Sequence, residues 1–340
     1  MTRRTTITAV IALAVGTVSP AMAQGHTHAH NPLADAPEGF FPPPLHPAGV
    51  TLQTQRLGEG VYALVSDKPP TDNSGFIVGD ESVLVVDAHI NPEMAQQIID
   101  SVRRVTDKPI AFLINTNYHG DHTFGNIAFP ASTTIIAHEA TAAGMANHEL
   151  ERQLMLQTVS GDTEALQGVR LRLPDITFDD RLTIDLGGRV VELYHFGRGN
   201  TPGDTVVYEP ATRTAWTGNL VIAGSVPPMF ETDAATYLQT ITAFASELDV
   251  ETIIPGHGVP TDGASQLASY QAYLGDLLNK VREQIREGRS LDQTLARVSL
   301  DDRWLPEAGS PLSGISPLLR GFHRLNVKRT YDALVAQSEG

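Results

Sequence analysis

The fold is decided by residues 115–126, which read NTNYHGDHTFGN. This stretch directly follows the apolar run 110–114, which has the composition of a buried strand, so its polar side chains lie at a strand end. Three side chains of metal-binding type, His119, Asp121 and His122, fall within four residues on a glycine-containing loop. Side chains at this spacing can turn towards one cation.

Three later loops have the same arrangement, a polar residue just after a predicted strand. Asn200, Asn219 and His257 each follow an apolar run that predicts a strand, and each has a glycine close by. Strands in two blocks, each flanked by helical patterns that include 92–105, 138–150 and 234–247, favour a layered αββα sandwich. The segment 150–175 suits a lid or insertion. In that architecture, four loops at strand ends can meet at one point, as a metal site requires.

In this order of loops the sequence resembles the metallo-β-lactamase superfamily, over roughly residues 52–262. The family's signature loop is H-x-H-x-D-H, and later loops supply a histidine, a bridging aspartate and a final histidine. The resemblance implies the metallo-β-lactamase αββα sandwich, an α/β fold, here with a C-terminal helical extension.

The departures from the family pattern fall on one half of its two-metal centre. In members that bind two zinc ions, three histidines hold one ion, at the positions of Asn117, His119 and Asn200 here. Amide oxygen is a much weaker zinc ligand than imidazole, so this half keeps one good ligand. The bridging carboxylate is replaced by Asn219, and two dications then lose the charge that offsets their repulsion.

The other half keeps its ligands. The resemblance implies that Asp121, His122 and His257 bind a metal, with the carbonyl oxygen of Asn219 as a weak fourth ligand. We predict one Zn²⁺ per chain, because nitrogen and oxygen ligands with an open position suit zinc. Asp121 offsets one charge of the ion, and the remaining field is expected to give a single zinc-bound hydroxide.

Several neighbouring side chains are candidates for catalysis or support. His119 is predicted to act with Asp121 in catalysis, by relaying a proton or donating a hydrogen bond to the substrate; a weak or outer metal ligand is the alternative. The candidates for substrate contact or ligand support are Asn117, Tyr118, Asn200 and Asp87, of which Asp87 resembles the family's structural aspartate.

Composition narrows the partners to small molecules. The 340 residues carry a formal net charge of −15 and no cysteine, which argues against nucleic acid and excludes a thiol nucleophile. Residues 214–279, which include two of the candidate loops, contain no Lys or Arg. A neutral substrate suits such a site better than the carboxylate of a penicillin or a phosphodiester.

Members of the superfamily hydrolyse many ester and amide types, so the fold does not decide the substrate. The ligand types resemble those of a single-zinc branch, the hydrolytic dehalogenase that acts on chlorothalonil. The prediction is therefore zinc-dependent hydrolytic dehalogenation of an activated chloroaromatic. Two alternatives stay open: an ester, lactone or β-lactam hydrolase of the same fold, and a non-catalytic periplasmic protein that binds a metal or ligand.

The ends of the chain complete the predicted organisation. Residues 1–23 have the charged, apolar and A-x-A parts of a secretory signal, and Arg3-Arg4 resembles a twin-arginine signal, so a periplasmic or secreted protein without a membrane anchor after processing is expected. Residues 24–49 form a Pro- and His-rich arm, 50–262 the metallo-β-lactamase-like domain, and 263–340 helices. The apolar faces of those helices predict packing on the sandwich, with a homodimer contact as the alternative.

Overall fold

Two β-sheets packed face to face form the centre of the protein, which a computed structural model describes for residues 31–306 and 313–339. The described residues form one compact unit. The predicted leader, residues 1–23, and the first residues of the predicted arm, 24–30, lie outside the described residues. Among the described residues, no helix has both the length and the apolar character that crossing a bilayer requires.

The first sheet has seven strands, which follow one another in chain order from edge to edge. Neighbours are antiparallel from β1 to β4 and parallel from β4 to β7. Its strands are β1 Leu52–Gly58, β2 Val61–Ser66, β3 Ser74–Val78, β4 Val83–Val86, β5 Ile110–Asn115, β6 Thr134–His138 and β7 Ile176–Phe178.

The second sheet has six strands in the order β13-β12-β11-β10-β9-β8. Only the pair formed by β11 and β12 is parallel. Its strands are β8 Arg181–Asp185, β9 Val190–Tyr194, β10 Val206–Glu209, β11 Thr214–Gly218, β12 Thr252–Pro255 and β13 Thr261–Asp262. The parallel pairs in both sheets bring the ends of β5, β11 and β12 to the same edge of the sandwich, where the polar loops lie.

Helices cover the outer faces of both sheets. They are α1 Pro92–Val105, α2 Gly120–Thr123, α3 Glu139–Met145, α4 His148–Thr158, α5 Ala234–Glu247, α6 Gly263–Arg286, α7 Leu291–Arg297 and α8 Ser316–Glu339. Helix α1 shows why the local sequence predicts its bounds: the Asn91 side chain accepts a hydrogen bond from the Met94 amide, and Pro92 occupies the first turn. Its apolar stripe, which includes Ile98 and Val102, is buried.

Three apolar clusters confirm the predicted αββα layering. One lies between the sheets and joins Ile114 and Val86 of the first to Trp216 and Ile254 of the second. A second cluster packs the outer face of the first sheet against α1. The third packs the second sheet against α5, α6 and α8. The C-terminal helices therefore share a core with the sandwich.

The segment 138–158 differs from the sequence prediction of one helix near 138–150 followed by a lid or insertion. Helix α3 begins after His138, whose ring nitrogen accepts from the Ala140 amide, and it ends at Met145. A new helix, α4, then runs from His148 to Thr158 and buries Leu154 and Met155. Because those apolar residues need burial, the chain continues as a helix where the sequence suggested a lid.

Helix α8 is fixed in place by buried polar side chains. Asn326 donates to the carbonyl oxygen of Pro227 at 2.7 Å and to the Tyr273 hydroxyl at 2.9 Å. The Tyr273 hydroxyl lies 2.9 Å from Nδ1 of His323, whose Nε2 donates to the carbonyl oxygen of Val298. His323 is therefore held neutral, and burial lowers its pKa to about 4.

This histidine predicts a loss of stability in mild acid. The unfolded state binds a proton at His323 near pH 6.5 but the folded state only near pH 4, so the free energy of unfolding falls as pH drops through this window. The loss reaches up to about 3 kcal/mol. We expect His323→Gln to remove this part of the pH dependence, which urea unfolding at pH 4.5 and 7 measures. Equal pH dependence in both proteins would contradict the assignment.

Candidate metal centre

Four loops meet at one edge of the sandwich. Asp121 and His122 lie in α2, just after β5, while His257 follows β12 and Asn219 follows β11. Gly218 makes this approach possible: its φ is +48°, and a Cβ atom there would lie 2.1 Å from the Thr116 hydroxyl. The glycines beside the polar residues thus let the loops come close together.

A fourth charged side chain, Asp72, joins this group. It lies in the turn between β2 and β3 and forms an isolated antiparallel bridge with His257. Asp72, Asp121, His122 and His257 each offer a ligand atom within 4.8 Å of the others, and all four are buried. Two carboxylates and two imidazoles thus converge on one point.

The spacing of these atoms suits a tetrahedral metal. Nε2 of His122 lies 3.6 Å from Oδ2 of Asp121 and 3.7 Å from Oδ1 of Asp72, and Nε2 of His257 lies 3.4 Å from Oδ2 of Asp121. Ligand atoms about 2.0–2.1 Å from a tetrahedral ion lie about 3.3 Å apart. The group therefore needs only small movements to bind a divalent metal.

Hydrogen bonds on the far side of each ring leave Nε2 free. Nδ1 of His122 donates to Oδ2 of Asp87 at 2.9 Å, and Nδ1 of His257 donates to the carbonyl oxygen of Pro70 at 2.6 Å. A neutral imidazole that donates through Nδ1 presents an unprotonated Nε2. Both histidines are thus set as metal ligands.

Unsatisfied buried acceptors give the strongest sign of a cation. Both carboxylate oxygens of Asp72, Oδ1 of Asp121, Nε2 of His122 and Oδ1 of Asn219 are buried without a hydrogen-bond partner. Buried acceptors without donors are costly, and such a cluster is rare in a native protein. A metal ion can bind the lone pairs of several of these oxygen and nitrogen atoms at once, so these residues fit a divalent metal.

The charges of the group agree with this. Burial and the neighbouring Asp121 carboxylate raise the pKa of Asp72 well above its ordinary value. Burial alone would also raise the pKa of Asp121, but the imidazoles of His122, His257 and His119 hold it well below its ordinary value. Two carboxylates this close repel one another unless a cation lies between them.

Asp87 supports the ligands from beneath and lies where the sequence prediction put it. Besides His122, it accepts from the amide and the hydroxyl of Thr116, at 2.8 and 2.7 Å. Its φ of 60° lies in the left-handed region, which costs energy for a residue other than glycine. Three hydrogen bonds hold this carboxylate in its strained position.

Asp87→Asn is expected to weaken metal binding by about 10- to 100-fold with the fold retained. The asparagine NH2 must take the place either of Oδ2, where it faces His122 Nδ1–H and the Thr116 hydroxyl, or of Oδ1, where it faces the Thr116 amide, and each arrangement sets a donor against a donor. His122 relieves the conflict by moving its proton to Nε2, which then cannot bind a metal. Titration of metal-free protein with zinc and a competing chelator measures the affinity. Asp175→Asn, which alters a single backbone contact at Ile135, is the control and should bind normally.

His119 lies beside the group but is held by other partners. Its Nδ1 donates to Oε1 of Glu151 at 3.3 Å, and its Nε2 donates to Oδ1 of Asn200 at 3.1 Å. The amide nitrogen of Asn200 donates to the carbonyl oxygen of Pro228, so its oxygen must face the ring. Both nitrogens of His119 therefore act as donors and neither faces a metal.

The environment of His119 explains this protonation. Burial would lower the pKa of His119, but the Glu151 carboxylate, together with Asp121 and Glu231, raises it to about 9 in the metal-free protein. Glu151 also accepts from the Gly120 amide at 2.8 Å, which fixes its position. The half of the site that carries asparagines is filled by this hydrogen-bonded group.

Asn117 and Tyr118 do not reach the cavity over the metal group. The Asn117 side chain accepts from the His119 amide at 2.9 Å and so shapes the loop. The Tyr118 ring packs on the His119 ring, with centroids 4.5 Å apart, and its hydroxyl donates to Glu231. These two residues support His119 and lie outside the cavity lining.

An open cleft of about 980 Å³, including the solvent at its mouth, lies over the metal group. His119, Asp121, Asn200, Asn219 and His257 line its floor. Its walls come from the arm at 32–45, from α4, from the loop at 222–230 and from α8, and they are mainly apolar. Within the described residues, no Lys or Arg lines this cleft.

Comparison with known proteins agrees with this geometry. A profile of the metallo-beta-lactamase superfamily matches residues 69–257, which is more than half of the chain. The chain belongs to the metallo-beta-lactamase superfamily. Its candidate ligands Asp72, Asp121, His122 and His257 all lie inside the matched region.

Individual relatives of this superfamily are distant. The linear primary-alkylsulfatase of Pseudomonas sp. (strain ATCC 19151) is 20% identical over 305 residues, which cover 78% of this chain and 56% of that protein. The chain thus spans about half the length of this curated relative. The metallo-beta-lactamase from Pontibacter korlensis has a TM-score of 0.56 at 20% identity, covering 66% of this chain and 99% of its own. The metallo beta lactamase from Erythrobacter litoralis has a TM-score of 0.51 at 20% identity, covering 66% and 96%. These structures share the fold.

Two residues of the centre were missed by sequence reasoning. Asp72 follows strand β2 as the other polar residues follow their strands, so the same rule applied to the turn after 61–66 would have found it. Glu151 has no such signal in the sequence, because it follows no predicted strand and its segment predicts a lid or insertion. The sequence prediction assigned one carboxylate to the metal, whereas the structure offers two.

Proposed function

We propose that the chain is a zinc-dependent hydrolase that uses one metal ion per chain on a small neutral substrate. The reaction we propose is hydrolytic dehalogenation of an activated chloroaromatic of the chlorothalonil type. The observation that carries the proposal is the apolar cleft, without Lys or Arg among its described lining residues, directly over the Asp121 and His257 ligands. An uncharged apolar molecule can enter such a cleft without an unpaired charge being buried.

The expected ligands are Asp72, Asp121, His122 and His257, with Asn219 beside them. When bound, zinc supplies a Lewis acid and a water acidified enough to act as a nucleophile near neutral pH. Asp87 and the carbonyl oxygen of Pro70 keep the two imidazoles in the tautomer that binds. Half of the ancestral two-metal arrangement is occupied by His119, Glu151 and Asn200, which supports a single ion.

In the proposed reaction, water adds to the electron-poor carbon that bears chlorine. The carbon–chlorine bond breaks with its electron pair on chloride, and the products are a phenol, chloride and one proton. The role that we propose for His119 is to place the positive charge of its ring beside the negative charge that develops, because the ring lies at the cleft floor while Glu151 and Asn200 hold its two N–H groups. Glu151 holds the ring in place for this.

His119→Ala is expected to keep the metal and to lower kcat by about 10²-fold. The reason is that the ring bonds to Glu151 and Asn200 and makes no contact of its own with the expected ion. Metal analysis and steady-state kinetics on the same preparation measure the two quantities. Loss of the metal in this variant would make His119 a ligand and contradict the role proposed for it.

A second candidate function is hydrolysis of an ester with a long apolar body. The relative named linear primary-alkylsulfatase favours it, and the apolar cleft suits an alkyl chain. The sulfate group of such a substrate would find no Lys or Arg in the described lining. We therefore consider sulfate esters and β-lactams that carry a carboxylate less favoured than the neutral chloroaromatic, and lactones remain part of the second candidate.

The test is a halide-release assay on zinc-loaded protein. With chlorothalonil as substrate, we expect one chloride for each hydroxylated aromatic formed, and about one zinc per chain by metal analysis. The variant His257→Ala is the inactive control. Turnover of esters or lactones without halide release would replace the proposal with the second candidate. Bound zinc without turnover of either panel would identify a binding protein.

Location and assembly are proposals of the same kind. We propose export to the periplasm or medium by residues 1–23, action on small molecules without nucleic acid or membrane partners, and a homodimer through the C-terminal helices as the assembly to test. Cell fractionation with N-terminal sequencing, and light scattering of the purified protein, measure these properties.

A further inference from the structure

The cleft has a wall that lies outside the region shared with the superfamily. The profile match ends at residue 257 and begins at 69, whereas the arm at 32–45 and helix α8 lie beyond these limits. From these two segments, Leu33, Leu45, Leu318, Leu319 and Phe322 line the cleft. One side of the substrate space therefore comes from segments outside the region that the profile matches.

Three aromatic rings join this wall to the catalytic floor. Phe40 of the arm, Phe230 and Phe322 of α8 pack with ring centroids 6.0–6.3 Å apart. The Phe230 ring also meets the His119 ring edge to face, with centroids 5.7 Å apart. A substrate that reaches His119 therefore lies beside the apolar ring of Phe230.

Helix α8 is rich in Lys and Arg, but these side chains lie outside the lining of the cleft. Its four cationic residues are Arg320, Arg324, Lys328 and Arg329, and none lines the cleft. Lys328 and Arg329 pair with Asp35 of the arm at 2.7 and 3.0 Å, and Nε of Arg324 donates to the carbonyl oxygen of Glu38 at 2.8 Å. Lys328, Arg329 and Arg324 thus bind the arm and hold it in place.

Resting on the proposed function, we propose that the wall formed by the arm and α8 selects the substrate by charge. It accepts an uncharged aromatic or alkyl body and rejects the same body when it carries an anionic group. The physical reason is desolvation, because an anionic group held against this wall, away from the metal group and His119 on the floor, loses water and meets no Lys or Arg in the described lining. Ile315, half-buried at the cleft beside α8, is the position where one cation would change this selection.

The test uses two fluorescent probes that differ by one charge. N-phenyl-1-naphthylamine is neutral, and 8-anilinonaphthalene-1-sulfonate is the same skeleton with a sulfonate. We expect the zinc-loaded protein to bind the neutral probe at least about tenfold more tightly than the anionic one. Ile315→Arg should reduce this ratio about tenfold, because the guanidinium pairs with the sulfonate.

Two variants control for side effects. Ile315→Gln removes the apolar side chain without adding charge, and Gln337→Arg adds the same charge to an exposed position on α8; both should keep most of the ratio. Equal affinities for the two probes in the unmodified protein would overturn the proposal, as would equal effects of Ile315→Arg and Gln337→Arg. Probe binding does not depend on turnover, so a failed halide assay leaves this result separate.

Discussion

Asp121→Asn is expected to remove the metal from the centre and to abolish turnover. Oδ2 of Asp121 faces Nε2 of both ligand imidazoles, at 3.4 Å from His257 and 3.6 Å from His122. Losing one of four ligands to a site of about 10–16 kcal/mol costs about a quarter of that energy, or about 10²- to 10³-fold in affinity. Metal content after desalting should fall from about one equivalent per chain to near zero.

Asparagine has the shape of aspartate, so this variant separates the charge from the packing. Circular dichroism should show an unchanged fold, and Asp185→Asn, at the end of β8, should retain both metal and turnover. A variant at Asp121 that keeps a full equivalent of zinc would show that the metal is bound elsewhere in the molecule.

Asp72→Asn is expected to act in opposite directions on the two forms of the protein. In the metal-free form, burial and the Asp121 carboxylate make the Asp72 charge unfavourable, so its removal should raise the free energy of unfolding. With metal, the same change removes a ligand and should weaken binding about 100-fold. The stabilisation that zinc gives to the fold should shrink accordingly.

Thermal unfolding with zinc and with a chelator measures both effects in one experiment. Asn219→Ala is the matched comparison, because Asn219 lies beside the group but carries no charge that repels Asp121. It should weaken metal binding without stabilising the metal-free form. If Asp72→Asn lowers the stability of the metal-free protein instead, Asp72 has a structural partner in that form and is not a free ligand.

The sequence predicted those elements whose signals are local. Helix α1 begins at Pro92 after an asparagine cap, and α5 begins at Ala234 after Asp233, whose side chain accepts two amides. Both sets of bounds agree with the prediction, because caps and an apolar stripe act within a few residues. The break between α3 and α4 depends on which apolar residues find a core, so local signals did not give it.

The residues of the metal centre divide in the same way, into those with a local signal in the sequence and those placed by packing. His122, His257 and Asp121 lie together in the structure, because each follows a strand whose end lies at one edge of the sandwich. Asp72 reaches the group through a bridge to a residue 185 positions later, and Glu151 reaches His119 from a separate helix. Contacts of this kind arise only once the sheets and helices have packed.

The candidate metal ligands lie between Asp72 and His257 in the sequence. The wall of the cleft comes from other segments, the arm and α8. Reactivity and selectivity can therefore evolve apart. On the proposed function, changes along α8 would alter which molecules enter the cleft while the candidate ligands stay as they are, which makes this helix a natural starting point for redesign.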